Sequence, residues 1–135
     1  MIAAALCFTA TSAFVTSTAD AKSPTAPADY QAKENLFDPE DVEDKFLKKA
    51  KRLYKSKCKK CHGMEGDGKG SAAGDMVLKP TAFNVPGYME GQSDGQLYFI
   101  IEKGSPDTEM KAFGPGTDMN LNDEEIWKII TFMRS

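Results

Sequence analysis

The stretch Cys58-Lys59-Lys60-Cys61-His62 decides how the rest of this 135-residue chain is interpreted. It places two thiols three residues apart, and an imidazole follows directly after the second thiol. Residues i and i+3 lie on the same side of a helical turn, so both sulfurs can meet the two vinyl groups at one edge of a haem. The imidazole that follows can then approach the iron as its proximal ligand. The spacing therefore predicts covalent attachment of a c-type haem.

Two other uses of paired cysteines compete with this interpretation. A tetrahedral zinc site needs four nitrogen or sulfur ligands. Apart from Cys58, Cys61 and His62, the only further candidate is Cys7, which lies in an apparent export signal. A redox-active dithiol usually accompanies a strand–helix–strand pattern, and the sequence has no such pattern. Haem attachment is therefore the favoured interpretation.

The N-terminal residues have the features of a secretory signal peptide. Residues 2–15 are mostly apolar, and Ala19-Asp20-Ala21 matches the small-x-small pattern that precedes a cleavage site. No Lys or Arg precedes the apolar run, which departs from the usual pattern. We therefore expect residues 1–21 to be a signal peptide and the protein to be periplasmic. No run approaches the roughly 18 apolar residues of a membrane-spanning helix, so no membrane span is expected.

Length and composition indicate one soluble domain behind a leader. The hydrophobic fraction is 41% and the formal net charge is −3, so a general affinity for nucleic acid is not indicated. Residues 22–37 contain prolines and alanines without an apolar period, which predicts a flexible leader. The remaining domain is expected over residues 38–135.

Three helices are predicted in that domain. The first starts at Asp38, with Pro39 at the first helical position, and exposes a lysine-rich face. Its apolar face consists of Val42, Phe46, Ala50, Leu53 and Tyr54. A short helix runs from Ser93 to about Lys103, and the last one begins at Asn122. The glycines of residues 63–74 lack the spacing of a phosphate-binding loop and predict tight turns instead.

From about residue 38 onward the chain resembles a class I, single-haem cytochrome c. The resemblance rests on Leu53-Tyr54, Cys58–His62, the glycine-rich run Gly63–Gly70, the stretch Gly104–Gly114 and the terminal helix with Trp127. It implies an all-α cytochrome c fold in which the N- and C-terminal helices cross over one covalently bound haem c. In similar proteins a proline carbonyl accepts a hydrogen bond from the proximal imidazole. Pro80 is the candidate here, with Pro86 as the alternative.

The resemblance also suggests the second axial ligand. His62 is the only histidine, so two histidine ligands from one chain are excluded. Met110 follows the short helix, and Ala112-Phe113-Gly114 continues the pattern found after the axial methionine in similar cytochromes. Lys111 stands where the family usually has proline. Met89 is the alternative ligand.

These features predict an electron carrier without enzymatic activity. Histidine and methionine ligands together leave no open iron position, which suits one-electron transfer between a redox donor and a redox acceptor. A five-coordinate haem enzyme or gas sensor, and a fixed haem subunit of a larger oxidoreductase, are the alternatives. The protein is expected to be a monomer. If the resemblance holds, Lys57, Lys59, Lys60 and Lys111 surround the exposed haem edge and steer the protein to an acidic partner surface.

Overall fold

The computed structural model describes residues 23–135, which form a helical domain without strands within that range. The helices are α1 (Ala28–Gln31), α2 (Asp44–Lys57), α3 (Lys59–His62), α4 (Asp94–Lys103) and α5 (Asp123–Arg134), with a 3-10 turn at Ala73–Asp75. The predicted all-α fold is confirmed. The predicted signal peptide, residues 1–21, lies outside the described residues. Among residues 23–135, no helix is long and apolar enough to cross a membrane.

The core forms where the first long helix meets the last one. Helix α5 packs against both α2 and α4. The buried cluster is apolar and comprises Tyr54, Leu97, Tyr98, Ile101, Leu121, Ile126, Trp127, Ile129 and Ile130. Thr131 is also fully buried, and its hydroxyl donates to the carbonyl of Trp127 at 2.9 Å. The packing of the N- and C-terminal helices agrees with the sequence-based prediction.

Both later helices begin where the capping residues predict. The side chain of Ser93 accepts from the amide of Gln96 at the start of α4. Asn122 and Glu125 form a complete capping box at the start of α5. Each cap satisfies amides that have no partner inside the helix. Gly104 ends α4 with a φ of 76°, a conformation that glycine adopts at little cost.

The predicted start of the first helix is wrong by five residues, because the cap is Glu43 and not Asp38. Asp38 instead caps a local turn, because its side chain accepts from the amide of Glu40 at 2.9 Å. Helix α2 begins only at Asp44, so Val42 lies outside it. The rings of Phe37 and Phe46 pack with centroids 4.6 Å apart. A continuous helix would separate them by about 13 Å along its axis, so this contact requires the chain to bend before α2.

The flexible leader predicted for residues 22–37 differs from what the structure shows for residues 23–37. This segment contains α1 and packs against α4. Ala26 is buried, and its amide donates to the side chain of Gln96 at 2.8 Å. The side-chain amide of Asn35 donates to the hydroxyl of Thr131 at 3.1 Å. Polar side chains and backbone groups make these tertiary contacts, so the sequence shows no periodic pattern of apolar residues. For this reason composition alone predicts a flexible leader.

Candidate haem site

The two predicted haem cysteines lie in one turn of chain, with Cys58 between helices α2 and α3 and Cys61 within α3. Cys58 ends α2, and its carbonyl accepts from the amides of Cys61 at 3.1 Å and His62 at 3.0 Å. These bonds form the helical turn that the spacing predicted, so the backbone carries both thiols and the imidazole together. Both cysteines are half-buried. The arrangement matches the donor set that a covalently attached haem requires.

The alternatives for the cysteine pair gain no support from their surroundings. Burial raises the pKa of Cys58 to about 12, so its thiol stays neutral at physiological pH. Redox-active dithiols need a depressed pKa on the attacking thiol, which is the opposite condition. Among residues 23–135, no three His, Cys, Asp or Glu side chains gather in a way that could hold a metal ion. A neutral, buried thiol therefore argues against a thioredoxin-like dithiol.

His62 presents one ring nitrogen as a free donor to a metal. Its Nδ1 lies 3.2 Å from the backbone carbonyl oxygen of Thr81. A carbonyl can only accept, so Nδ1 carries the proton and Nε2 keeps its lone pair. Burial lowers the pKa of His62, and the bond to Thr81 offsets this only in part, so the ring is neutral near pH 7. A neutral imidazole oriented by a backbone carbonyl is a good iron ligand.

The carbonyl that orients His62 belongs to Thr81, so the predictions of Pro80 and of Pro86 as the source of this carbonyl are both wrong. The Pro80 carbonyl lies against Gly68 instead, where its oxygen would be 2.4 Å from a Cβ added to that glycine. Consecutive carbonyls in this non-helical stretch point in different directions, so only one of them can face the imidazole. The sequence locates the loop but cannot decide between neighbouring carbonyls.

Two aromatic residues that were not predicted as site residues support the histidine. The ring of Phe83 lies 5.5 Å from the ring of His62 and 6.2 Å from that of Tyr54. The buried hydroxyl of Tyr54 donates to the carbonyl of Gly63 at 2.8 Å. Helix α2 is thus tied to the residue directly after His62. The position of Tyr54, four residues before Cys58, is a sequence signal that could have predicted its place beside the site. No comparable signal in the sequence pointed to Phe83.

The glycine-rich run folds back tightly onto α3, as its composition predicted. Gly63 follows His62 with a φ of 76°, which favours glycine. The amide of Gly70 donates to the carbonyl of Cys61 at 3.0 Å, and that of Ala72 to Lys60 at 2.9 Å. A Cβ on Gly70 would lie only 2.3 Å from the carbonyl oxygen of Lys60. The loop therefore holds the Cys58–His62 turn by direct backbone contact.

Met110 lies in the loop that follows α4, as predicted. It is half-buried, its amide donates to the hydroxyl of Thr108 at 3.1 Å, and its carbonyl accepts from the amide of Ser105 at 2.9 Å. The alternative ligand, Met89, packs against the core, and its carbonyl accepts from Arg134 at 2.9 Å. The roles of Met110 and Met89 toward iron stay predictions.

Lys57, Lys59 and Lys60 lie in or beside the Cys58–His62 turn, and Lys111 follows Met110 along the chain. Lys59, Lys60 and Lys111 are exposed, and Lys57 is half-buried. Within the described part of the chain, the three ion pairs all lie elsewhere, and none involves these four lysines.

The fold and this turn define a helical domain built to carry a covalently attached haem. The family model described as Cytochrome c matches residues 47–135. The chain therefore belongs to the cytochrome c family, whose members bind haem c covalently and transfer electrons. No curated protein matches the sequence.

A solved structure is similar to this chain as well. It is a chain of the reducing HAO-like protein complex of Kuenenia stuttgartiensis, with a TM-score of 0.55 and 26% sequence identity. The similarity covers 67% of this chain and 43% of that chain. This chain thus spans less than half the length of that solved relative.

Proposed function

We propose that the protein is a periplasmic electron carrier that holds a single haem c by thioether bonds to Cys58 and Cys61. In this proposal His62 and Met110 are the two axial ligands. One observation carries it: the His62 ring donates through Nδ1 to Thr81, which leaves the lone pair of Nε2 free in the helical turn that also holds Cys58 and Cys61. The haem supplies a one-electron couple when bound. The chain supplies both ligands and orients His62 through the carbonyl of Thr81.

The choice of ligands explains why the proposal is transfer and not catalysis. A thioether ligand favours the reduced state of the iron relative to a second nitrogen ligand and raises the potential. Two protein ligands also leave no position for a substrate. An apolar core beside the site also raises the reduction potential, because it disfavours the additional charge of the oxidised, ferric state. Such a site changes its oxidation state with little movement of the chain.

Carbon monoxide binding tests the ligand assignment. We expect the reduced wild-type protein to resist carbon monoxide and Met110→Ala to bind it rapidly, with a lower reduction potential and the haem still attached. Met89→Ala is the matched control, and it should behave like the wild type. Rapid binding by the wild-type protein would instead indicate a five-coordinate haem enzyme or sensor. A response of Met89→Ala alone would move the ligand to Met89.

A second candidate function is a fixed haem subunit of a larger oxidoreductase. The observation that favours it is the solved relative, which is part of a protein complex and is more than twice as long as the similar region. Size-exclusion chromatography of native extract separates the two candidates. A free carrier elutes alone at the size of a monomer, whereas a subunit elutes with its partners.

The proposed partners are a redox donor and a redox acceptor with acidic docking surfaces. The unpaired charges of Lys59, Lys60 and Lys111 support this, because a local basic surface on an acidic chain makes a strong charge asymmetry. Such asymmetry mainly raises the rate of encounter and fixes orientation, and adds less to affinity.

A further inference from the structure

The segment of residues 23–37, which we call the clasp, lies outside the family match over residues 47–135. It is nevertheless joined to α4 by a buried polar contact. The side chain of Gln96 is only 8% exposed. It accepts from the amide of Ala26 at 2.8 Å and from the side chain of Gln31 at 2.9 Å, and it donates to the carbonyl of Pro24 at 2.8 Å. Every side-chain partner of this buried amide is in the clasp.

Tyr30 extends the contact along α4 to its C-terminal end. Its carbonyl oxygen would lie 1.7 Å from a Cβ on Gly95, so the two backbones touch where only glycine leaves room. Its ring packs edge-on against Phe99 with centroids 5.0 Å apart. Its hydroxyl donates to the carboxylate of Glu102 at 2.5 Å. Tyr30 therefore touches the helix near its beginning and in its last turn.

Glu102 connects the clasp to the chain that carries Met110. While its carboxylate accepts from Tyr30, its backbone carbonyl accepts from the amide of Gly114 at 3.1 Å. The carbonyl of Ile101 accepts from the amide of Phe113, also at 3.1 Å. A Cβ on Gly114 would lie 2.4 Å from Cγ of Glu102, so this side chain packs directly on the returning segment. The last turn of α4 thus holds the chain just after Met110.

We propose that the clasp positions the Met110 loop through Tyr30 and Glu102, and so limits how readily Met110 leaves the haem. Tyr30 is a positioning residue in this scheme, because its hydroxyl acts on the Met110 loop through Glu102. The second half of the proposal rests on Met110 being the axial ligand. The first half, the hold on residues 113 and 114, does not depend on any ligand.

The test compares the hydroxyl groups of two tyrosines, Tyr30 in the clasp and Tyr98 on α4. Tyr30→Phe removes only the hydroxyl that reaches Glu102. Tyr98→Phe is the matched control, since its hydroxyl donates to Asp123 at the start of α5 at 2.7 Å. In the full-length haem protein we expect amide exchange at Phe113 and Gly114 to become roughly tenfold faster in Tyr30→Phe, as for one lost bond to a charged acceptor. Carbon monoxide binding should accelerate by a similar factor.

Each outcome decides one half of the proposal. Unchanged exchange at the two amides in Tyr30→Phe, or equal acceleration in Tyr98→Phe, would overturn the clasp. Faster exchange with unchanged, slow carbon monoxide binding would overturn its coupling to the ligand. Rapid carbon monoxide binding by the wild-type protein would refute Met110 ligation. Amide exchange at Phe113 and Gly114 would still test whether the clasp holds this segment. Gln96→Leu, which breaks the other end of the contact, should reproduce the Tyr30→Phe result.

Discussion

Replacing Gly70 by alanine should destabilise the protein because the loop and the haem-binding turn touch backbone to backbone. The new Cβ would lie 2.3 Å from the carbonyl oxygen of Lys60 and 2.5 Å from that of Lys59. Ordinary contacts begin at 3.4 Å, so the loop must retreat by roughly 1 Å. That movement breaks the bonds from Gly70 to Cys61 and from Ala72 to Lys60. Two such bonds contribute about 2 kcal/mol to the free energy of unfolding.

Thermal unfolding followed by circular dichroism measures this loss. For a chain of this size about 2 kcal/mol lowers the Tm by roughly 8 °C. The matched control is Gly74→Ala, because a Cβ there meets no atom within 4 Å. We expect its Tm to stay near that of the wild type, within about 0.5 kcal/mol in stability. If Gly70→Ala unfolded at the same temperature as Gly74→Ala, the close packing of the loop on α3 would be refuted.

Two further predictions concern charge. If the lysines beside the cysteines steer docking, electron transfer with the native partner should slow as salt rises, because the Debye length falls from about 30 Å at 0.01 M to about 10 Å at 0.1 M. Charge reversal at Lys59 and Lys60 should slow association more than charge reversal at Lys45 and Lys48. Association rates that respond to neither change would exclude this docking face. The second prediction concerns stability at high pH. The pKa of Tyr98 is raised above that of a free tyrosine, mainly by burial and also by its hydrogen bond to Asp123. A raised folded-state pKa contributes stability that is present below pH 10 and lost as the pH rises above it. The free energy of unfolding should therefore fall above pH 10, and Tyr98→Phe should flatten that fall; an unaltered slope would contradict the assignment.

What the sequence could predict is what nearby residues decide. The turn Cys58–His62 follows from spacing alone, and the starts of α4 and α5 follow from the caps Ser93 and Asn122. These features depend on hydrogen bonds over three or four residues. The family resemblance, carried by motifs spread along the chain, is likewise confirmed by the match over residues 47–135.

What the sequence could not predict depends on contacts between distant residues. The clasp is held by Gln96, seventy positions after Ala26, and no local pattern reports such a bond. The start of α2 was misplaced because the pairing of Phe37 with Phe46 overrides a good local cap at Asp38. Whether the carbonyl of Thr81 or that of Pro80 faces His62 depends on the orientation of one peptide group.

Covalent attachment of one haem through Cys58 and Cys61 underlies every functional proposal made for this chain, and acid extraction of the purified, denatured protein tests it. We expect the haem to stay with the polypeptide, whose intact mass should exceed that of the chain by one haem. Alanine at both cysteines should release the haem into the organic phase. Extraction of the haem from the wild-type protein, or a mass equal to that of the chain alone, would show that the thioether bonds do not form.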